Sequence, residues 1–291
     1  MELWQAALFG LVQGLTEFLP ISSDGHLRVI EHFAGIQEPQ TAFDVALHVA
    51  TLAAVCIVLR QDIWQVGTSP FRVTANLVTR RYPLLESLRD PGLLGLVYVG
   101  LACVPTAYIG LRYGDTFESM GASLEFVGWM FVCNGVVLLG SRYVVLPLPF
   151  KRLNKGFPGM NALDALLIGA AQGMAVLRGV SRSGTTISVA MMLGVDRETA
   201  ARFSFLAAIP AVGGAALLSA LKVEQGAALP ETDVLLAGMA VAFVVGLAAM
   251  RLLLRLVSKG KLHHFAWYTI LVGSVLVLWY AMGNELPFWR S

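Results

Sequence analysis

GLVQGLTEFLPISSDGH, from Gly10 to His26, recurs as GAAQGMAVLRGVSRSGT, from Gly169 to Thr185, at a constant offset of 159 residues and without gaps. Gly10, Gln13, Gly14, Ser22 and Gly25 fall on Gly169, Gln172, Gly173, Ser181 and Gly184. A long ungapped repeat marks two related halves and takes precedence over any single element. Each copy is an apolar stretch broken by glycine, so each half is built around an interrupted hairpin. The copies differ in their polar groups: Glu17 faces Val176, His26 faces Thr185, and Ser23 faces Arg182. If the hairpins meet, one brings a carboxylate and an imidazole and the other a guanidinium.

Around these copies the chain is apolar. It has 291 residues, of which 56% are hydrophobic and 14% charged, with mean hydropathy +0.69. Soluble domains carry about 25% charged residues, so the chain is expected to be an all-α polytopic membrane protein. A net charge of +2 speaks against a nucleic-acid partner. Cys56, Cys103 and Cys133 lie in apolar runs without metal-ligand spacing and are expected to pack rather than pair. The N-terminus, MELWQAALFG, lacks a basic region and a small-residue cleavage site, so no signal peptide is expected.

A spanning helix needs about 20 mostly apolar residues. Six segments qualify: 43–59, 93–112, 123–145, 203–221, 234–256 and 264–283. Two more, 3–34 and 161–195, are interrupted at Pro20–Gly25 and at Arg178–Gly184. Broken backbone at membrane depth is tolerated only where protein or a cavity surrounds it, so these are expected to be re-entrant hairpins. The expected plan is one membrane domain, with repeats over about 1–145 and 161–283.

Loop charges orient it, since lysine and arginine excess marks cytoplasmic loops. Residues 60–92 carry Arg60, Arg72, Arg80, Arg81 and Arg89. Residues 142–161 carry Arg142, Lys151, Arg152 and Lys155, and 251–264 carry Arg251, Arg255, Lys259 and Lys261. By contrast, 112–122 and 222–233 balance base with acid and read as external. Counting crossings then inserts the two hairpins from opposite faces, an inverted-topology repeat with its site near the midplane. Both termini come out external.

Glu17 lies four residues after Gln13, on one helical face. An ionisable group within a membrane segment points to function, and the two oxygens suit a divalent cation. The plainer role for Glu17 is an ion pair with Arg182 or Arg178. Ser22 and Ser23 precede a helix that either can cap, and free N–H groups at its start bind anions. With His26 one turn on, the pattern reads as a hydroxyl nucleophile beside a general base, and Asp24 either orients His26 or merely forms the turn. Arg182 offers a planar fork suited to phosphate, flanked by Ser181, Ser183, Gly184, Thr185 and Thr186. Together these are the parts for phosphoryl transfer. Asp44 and His48, also four apart near the external end of a crossing helix, read either as lining the same cavity or, more plainly, as a local hydrogen-bonded pair. Glu125 is placed at an interface and Asn134 between helices. Trp4, Trp129, Tyr143, Trp267 and Tyr280 read as interfacial anchors, and Pro105 and Pro210 as helix kinks.

The stretch from Gly14 to His26, the run Ser181–Thr186 and the segment from Arg202 to Pro210 resemble the undecaprenyl pyrophosphate phosphatases of the bacitracin-resistance type. The resemblance covers essentially the whole chain. It implies hydrolysis of the lipid pyrophosphate left by cell-wall glycan transfer, giving the monophosphate carrier and inorganic phosphate. It also implies a bacterial inner-membrane location, a periplasm-facing site and a divalent cation, with Mg²⁺ expected and Ca²⁺ as the alternative. By position, the family's acidic motif is Gln13 and Glu17, with Glu17 and Gln13 as cation ligands. Glu17, Ser23, His26 and Arg182 are the implied catalytic residues, and Ser22, Ser181, Ser183, Gly184 and Thr186 the implied substrate contacts. Two positions depart: Arg178 stands where the family usually has Pro, and Asp24 where Thr is common. Ser23, His26 and water remain open as the nucleophile. A lipid-phosphate transporter or flippase using the same clamp is the rival function, and a weakened paralogue a third. Expected partners are the lipid pyrophosphate and membrane lipids, and a small bundle of this kind is compatible with a homodimer.

Overall fold

A computed structural model describes residues 1–34, 41–79, 82–143, 154–223 and 231–283. Arg80, Arg81, Lys151, Arg152 and Glu224 of the loop-charge argument lie outside the described residues. The helices are α1 (Leu3–Thr16), α2 (Ser23–Phe33), α3 (Thr41–Val58), α4 (Arg60–Val78), α5 (Leu84–Ser87) and α6 (Pro91–Met120). They continue with α7 (Leu124–Tyr143), α8 (Ala162–Met174), α9 (Arg182–Met192), α10 (Arg197–Val223), α11 (Thr232–Ser258) and α12 (Phe265–Ala281). Among the described residues there is no strand, only one isolated bridge between Lys155 and Val195. Among the described residues five helices are long and apolar enough to cross a membrane, and α3 with α4, bent by 76° at Leu59, makes a sixth only if the pair is counted as one broken span. The protein is an all-α, multi-pass membrane protein.

Both interrupted segments are helix–turn–helix hairpins. In the first, α1 ends at Thr16 and the chain turns through Pro20. It restarts at Ser22, whose φ of 70° breaks the helical path and whose Oγ accepts from the Gly25 N–H. In the second, α8 ends at Met174, and tight bonds such as Val176 N–H to Gly173 O carry the chain to Gly179. Gly179 has φ of 100°, open to glycine without strain, and a side chain there would collide with Val127 O at 2.6 Å. Ser181 Oγ then caps α9 through the Gly184 N–H.

The repeated glycines set the packing. Gly10 and Gly14 press α1 onto α11, where a Cβ on Gly10 would lie 2.3 Å from Gly238 O. Gly169 and Gly173, their counterparts, press α8 onto α6. Small residues one turn apart let membrane helices approach closely. α7 lies along α12, with Gly128 and Gly273 at their crossing, and α3 lies along α10. Exchanging the two halves leaves these pairings unchanged. The core between them holds Phe18, Phe203, Phe205, Leu138, Ile187 and Met250.

Three expectations change. Residues 60–92 are not a plain loop, because they contain α4 and the short α5. Frequent charges and Pro70 hide α4 from an apolar-length criterion. Its exposed Trp64, Phe71 and Val78, spaced at seven, nonetheless form an outward apolar row, as on a helix lying at a bilayer surface. The segment 112–122, expected to be an external loop, shrinks to Gly121–Ser123, since α6 runs on to Met120 and carries Arg112, Asp115 and Glu118 on its last turns. Cys133 is exposed on α7 rather than packed, whereas Cys56 and Cys103 are half-buried. The aromatic anchors Trp4, Trp129, Tyr143, Trp267 and Tyr280 are exposed, as a bilayer-facing role requires.

Candidate functional site

The two hairpin turns meet, and Asn134 of α7 ties them. Its side chain is fully buried. Nδ2 donates to Pro20 O at 3.0 Å, while Oδ1 accepts from the Ser181 N–H at 3.0 Å. Ser183 Oγ adds a bond to Phe18 O at 2.9 Å. The turns touch so closely that a Cβ on Gly25 would lie 3.0 Å from Gly179 Cα. Asn134→Ala would leave two buried backbone groups unpaired, at about 1–3 kcal/mol each. Its thermal unfolding in detergent is expected at clearly lower temperature than wild type, whereas an unchanged transition would show that the bridge contributes nothing to stability.

At this junction Glu17, from the first hairpin, pairs with the Arg182 guanidinium of the second. Glu17 Oε2 also accepts from Ser23 Oγ at 2.6 Å and from Gln13 Nε2 at 3.2 Å. His48, from α3, points Nε2 at two carboxylates: Asp24 Oδ1 at 3.5 Å and Glu17 Oε2 at 3.7 Å. Glu17 and Ser23 are buried, so their polar groups act in a medium of low effective dielectric.

Several expected partnerships are absent. Ser23 bonds to Glu17 and not to His26. The His26 ring is held elsewhere, with Nδ1 against Ser22 O at 2.7 Å and Nε2 against Tyr268 Oη at 2.8 Å, and it stacks on Tyr268. Asp24 faces His48 instead of His26. Ser22 and Ser181 are occupied as helix caps. Thr186 is buried and bonded to Arg182 O at 2.8 Å and Ser204 Oγ at 2.5 Å. These hydroxyls shape the turns, and among the hydroxyls expected at the site Ser23 is the one bonded to the Glu17 carboxylate. What the motifs do offer an anion is Arg182 and those N–H groups at the starts of α2 and α9 that the Ser22 and Ser181 caps leave over, the Gly25 and Gly184 N–H groups being taken.

Three residues matter more than their sequence context suggests. His48 reads there as a local pair or a lining residue, and it is both: Nδ1 bonds Asp44 O at 2.8 Å, while Nε2 faces the site. Asn134 bridges turns rather than spans. Tyr268 carries no motif signal at all. Arg178 lays its stem over Gly121, where a Cβ would meet Arg178 Cδ at 2.8 Å.

The donor set suits a hard divalent cation. Gln13 is fully buried, and its Oε1 has no hydrogen-bond partner although the same amide touches Glu17. Turned end for end, the amide would present that oxygen on the Glu17 side, where a cation would satisfy it. Among the described residues, no three His, Cys, Asp or Glu side chains already close on a common point. A separate cavity of about 280 Å³ shares no lining residue with this centre. Its Arg202 is neutralised by Asp62 at 2.9 Å and Glu198 at 2.7 Å.

Fold and site together define a polytopic helical membrane protein with a polar, charge-paired centre where two broken hairpins touch. The chain belongs to the family described as bacitracin resistance protein BacA, whose family model matches residues 6–275. A relative from Desulfosudis oleivorans is 41% identical over 97% of this chain and 100% of its own length. One from Desulfatibacillum aliphaticivorans is 38% identical over 96% and 99%, and one from Syntrophotalea carbinolica 41% identical over 94% and 98%. All three are named undecaprenyl-diphosphatase.

Proposed function

We propose that this protein hydrolyses undecaprenyl pyrophosphate to the monophosphate carrier and inorganic phosphate. The carrying observation is the Glu17–Arg182 pair, made across the two hairpin turns with Ser23 donating to the same carboxylate. Pyrophosphate competes with Glu17 for Arg182, because a guanidinium takes two phosphate oxygens at once. The helix starts of α2 and α9 add N–H donors for charge that grows as the bond breaks. Glu17 and Gln13 would hold a divalent cation, Mg²⁺ first, which when bound neutralises pyrophosphate oxygens. Ser23 is the nucleophile the geometry favours, since its Oγ–H already points at a base. Its oxygen bonds the terminal phosphorus, its proton passes to Glu17, and the P–O bond to the lipid monophosphate breaks. Water then attacks the phosphoserine, releasing phosphate and restoring the hydroxyl. His26 holds the turn through the Ser22 carbonyl.

In this proposal the two hairpins insert from opposite faces of the bacterial inner membrane. The termini and the site face the periplasm, and the prenyl tail stays between helices in the bilayer. The loop charges and the exchange-symmetric helix pairings support that arrangement.

The test is phosphate release from undecaprenyl pyrophosphate by purified protein in detergent, with Mg²⁺, with Ca²⁺ and with chelator. Release that chelator abolishes, and that Glu17→Ala loses, is expected. Folded wild-type protein releasing nothing under any metal would overturn the assignment.

A further inference from the structure

We infer that Tyr268 is a positioning residue for the hydrolysis proposed above. Its hydroxyl braces the His26 imidazole, and His26 in turn holds the strained Ser22 turn that aims Ser23 Oγ at Glu17. The inference rests on Ser23 as the nucleophile.

The first support is an internal comparison that the repeat supplies. Ser22 and Ser181 are equivalent caps, each accepting from the glycine N–H three residues on. Ser181 does so from ordinary extended backbone, with φ of −81° and ψ of 120°. Ser22 instead has φ of 70°, a region that non-glycine residues keep only where their surroundings force it on them. The hairpins also differ one turn further on, where the first has His26 and the second Thr185. Strain and imidazole thus occur together, in the hairpin that carries Glu17 and Ser23, and the other copy lacks both.

The second support is how the strain is held. Ser22 O accepts from the His26 backbone N–H at 3.3 Å and lies 2.7 Å from His26 Nδ1. A carbonyl only accepts, so Nδ1 carries a hydrogen. In the neutral ring Nε2 is then an acceptor, and Tyr268 Oη, 2.8 Å away, donates to it. Within a bilayer neither group has water to fall back on, so each fixes the other. Phe131 of α7 meets the imidazole edge-on, with centroids 5.0 Å apart.

The third support is the frame that carries Tyr268. A Cβ on Gly135 would lie 2.9 Å from both Ala266 O and Thr269 Oγ1, so α12 is seated on α7 beside Asn134, which ties both hairpin turns. Tyr268 therefore reaches His26 from a close-packed helix pair. The line from Tyr268 through His26 and Ser22 ends at Ser23 Oγ, 2.6 Å from Glu17 Oε2. Rate falls steeply when a reacting group is displaced by even about 1 Å. The rival role for Tyr268 is packing alone, its ring resting against the imidazole.

Tyr268→Phe separates the two roles. It keeps the ring contact, with centroids 5.7 Å apart and planes within 6°, and removes only the hydroxyl. Phosphate release from undecaprenyl pyrophosphate is expected to show kcat about 10- to 10²-fold lower, with KM little changed. In ¹⁵N-histidine-labelled full chain in detergent, nuclear magnetic resonance reads the brace directly. The His26 Nε2 resonance, identified by its loss in His26→Gln, should move toward that of an imine nitrogen with no donor. Added to His26→Gln, Tyr268→Phe should cost little more, since both act along one line. Full kcat in Tyr268→Phe, an unmoved Nε2 resonance, or an undiminished further loss in the His26→Gln background would each overturn the brace. So would a raised KM with kcat kept, which would make the phenol a substrate contact. Wild-type phosphate release beside a fully active Tyr268→Phe would remove the brace and leave the hydrolase standing. A moved resonance in protein that releases no phosphate would keep the Tyr268–His26–Ser22 line and remove the hydrolase.

Discussion

Arg182→Lys is expected to lower kcat for phosphate release by about 10²–10³-fold, the usual cost of removing one preorganised donor from a charge-stabilising site. Lysine keeps the positive charge and can still reach Glu17, so the folded pairing of the hairpins survives. What it loses is the fork: an ammonium is a point charge and cannot bind two phosphate oxygens in one plane. The backbone of position 182 is secured independently, since its carbonyl accepts from Thr186 Oγ1. Arg182→Ala is the less informative variant. It strands the buried Glu17 carboxylate, and breaking one side of a buried pair costs about 3–5 kcal/mol, so lost activity would be mixed with lost structure. Kinetics and thermal unfolding of the lysine variant, measured together, keep the two apart. A large fall in kcat with an unchanged transition supports the clamp. Full activity in Arg182→Lys would show that Arg182 merely fastens the hairpins. The two partners belong to one interaction, so Arg182→Lys and Glu17→Gln should combine to less than the sum of their separate losses.

That pairing is legible in the amino-acid sequence, because the repeat places a carboxylate and a guanidinium in equivalent turns of two related hairpins. The hairpin breaks are legible too. Pro20 with Ser22–Gly25, and Gly179 with Ser181–Gly184, are turn and cap chemistry embedded in apolar sequence. α4 is not, because a helix that carries Arg60, Asp62 and Arg72 has no long apolar run to find. His48 is legible only in part. Spacing within one helix shows that Asp44 and His48 share a face, but not which other helix that face meets. Only the packing of α3 beside α1 and α11 brings Nε2 to Glu17. Asn134 is the same kind of case: its two bonds reach residues 114 and 47 positions away, with no local pattern to announce them. The hydroxyls err in the opposite direction. Ser22, Ser181 and Thr186 look like an anion cradle in sequence, yet capping and packing claim them.

The same close packing yields the largest structural effect. Gly169→Ala is expected to prevent recovery of stable, monodisperse protein, or to lower its unfolding temperature steeply. A Cβ at Gly169 would sit 2.1 Å from Ala102 O and 2.6 Å from Ala102 Cα. Those are backbone atoms of α6, so no side-chain rotation relieves the clash and the two helices must part. Parting them also stretches the Thr106 Oγ1 bond to Gly169 O, now 2.7 Å, and the Gln172 bond to Thr106, now 3.3 Å. Overpacking alone costs about 1–3 kcal/mol, and the strained bonds add to it. Gly10→Ala should behave alike, with its Cβ 2.3 Å from Gly238 O on α11. Gly110→Ala is the control, because it lies on the same α6 with nothing within 4 Å of its Cβ. There alanine should leave stability unchanged or raise it by up to about 1 kcal/mol, as expected for glycine replaced within a helix. Gly169→Ala matching Gly110→Ala would refute the close approach of α8 and α6. The distinction matters for chemistry because α1 and α8 lead directly into the turns that carry Glu17 and Arg182. A displacement of either helix by the width of a methyl group separates the two halves of the site, so partial folding in these variants should bring a loss of activity larger than the loss of folded protein.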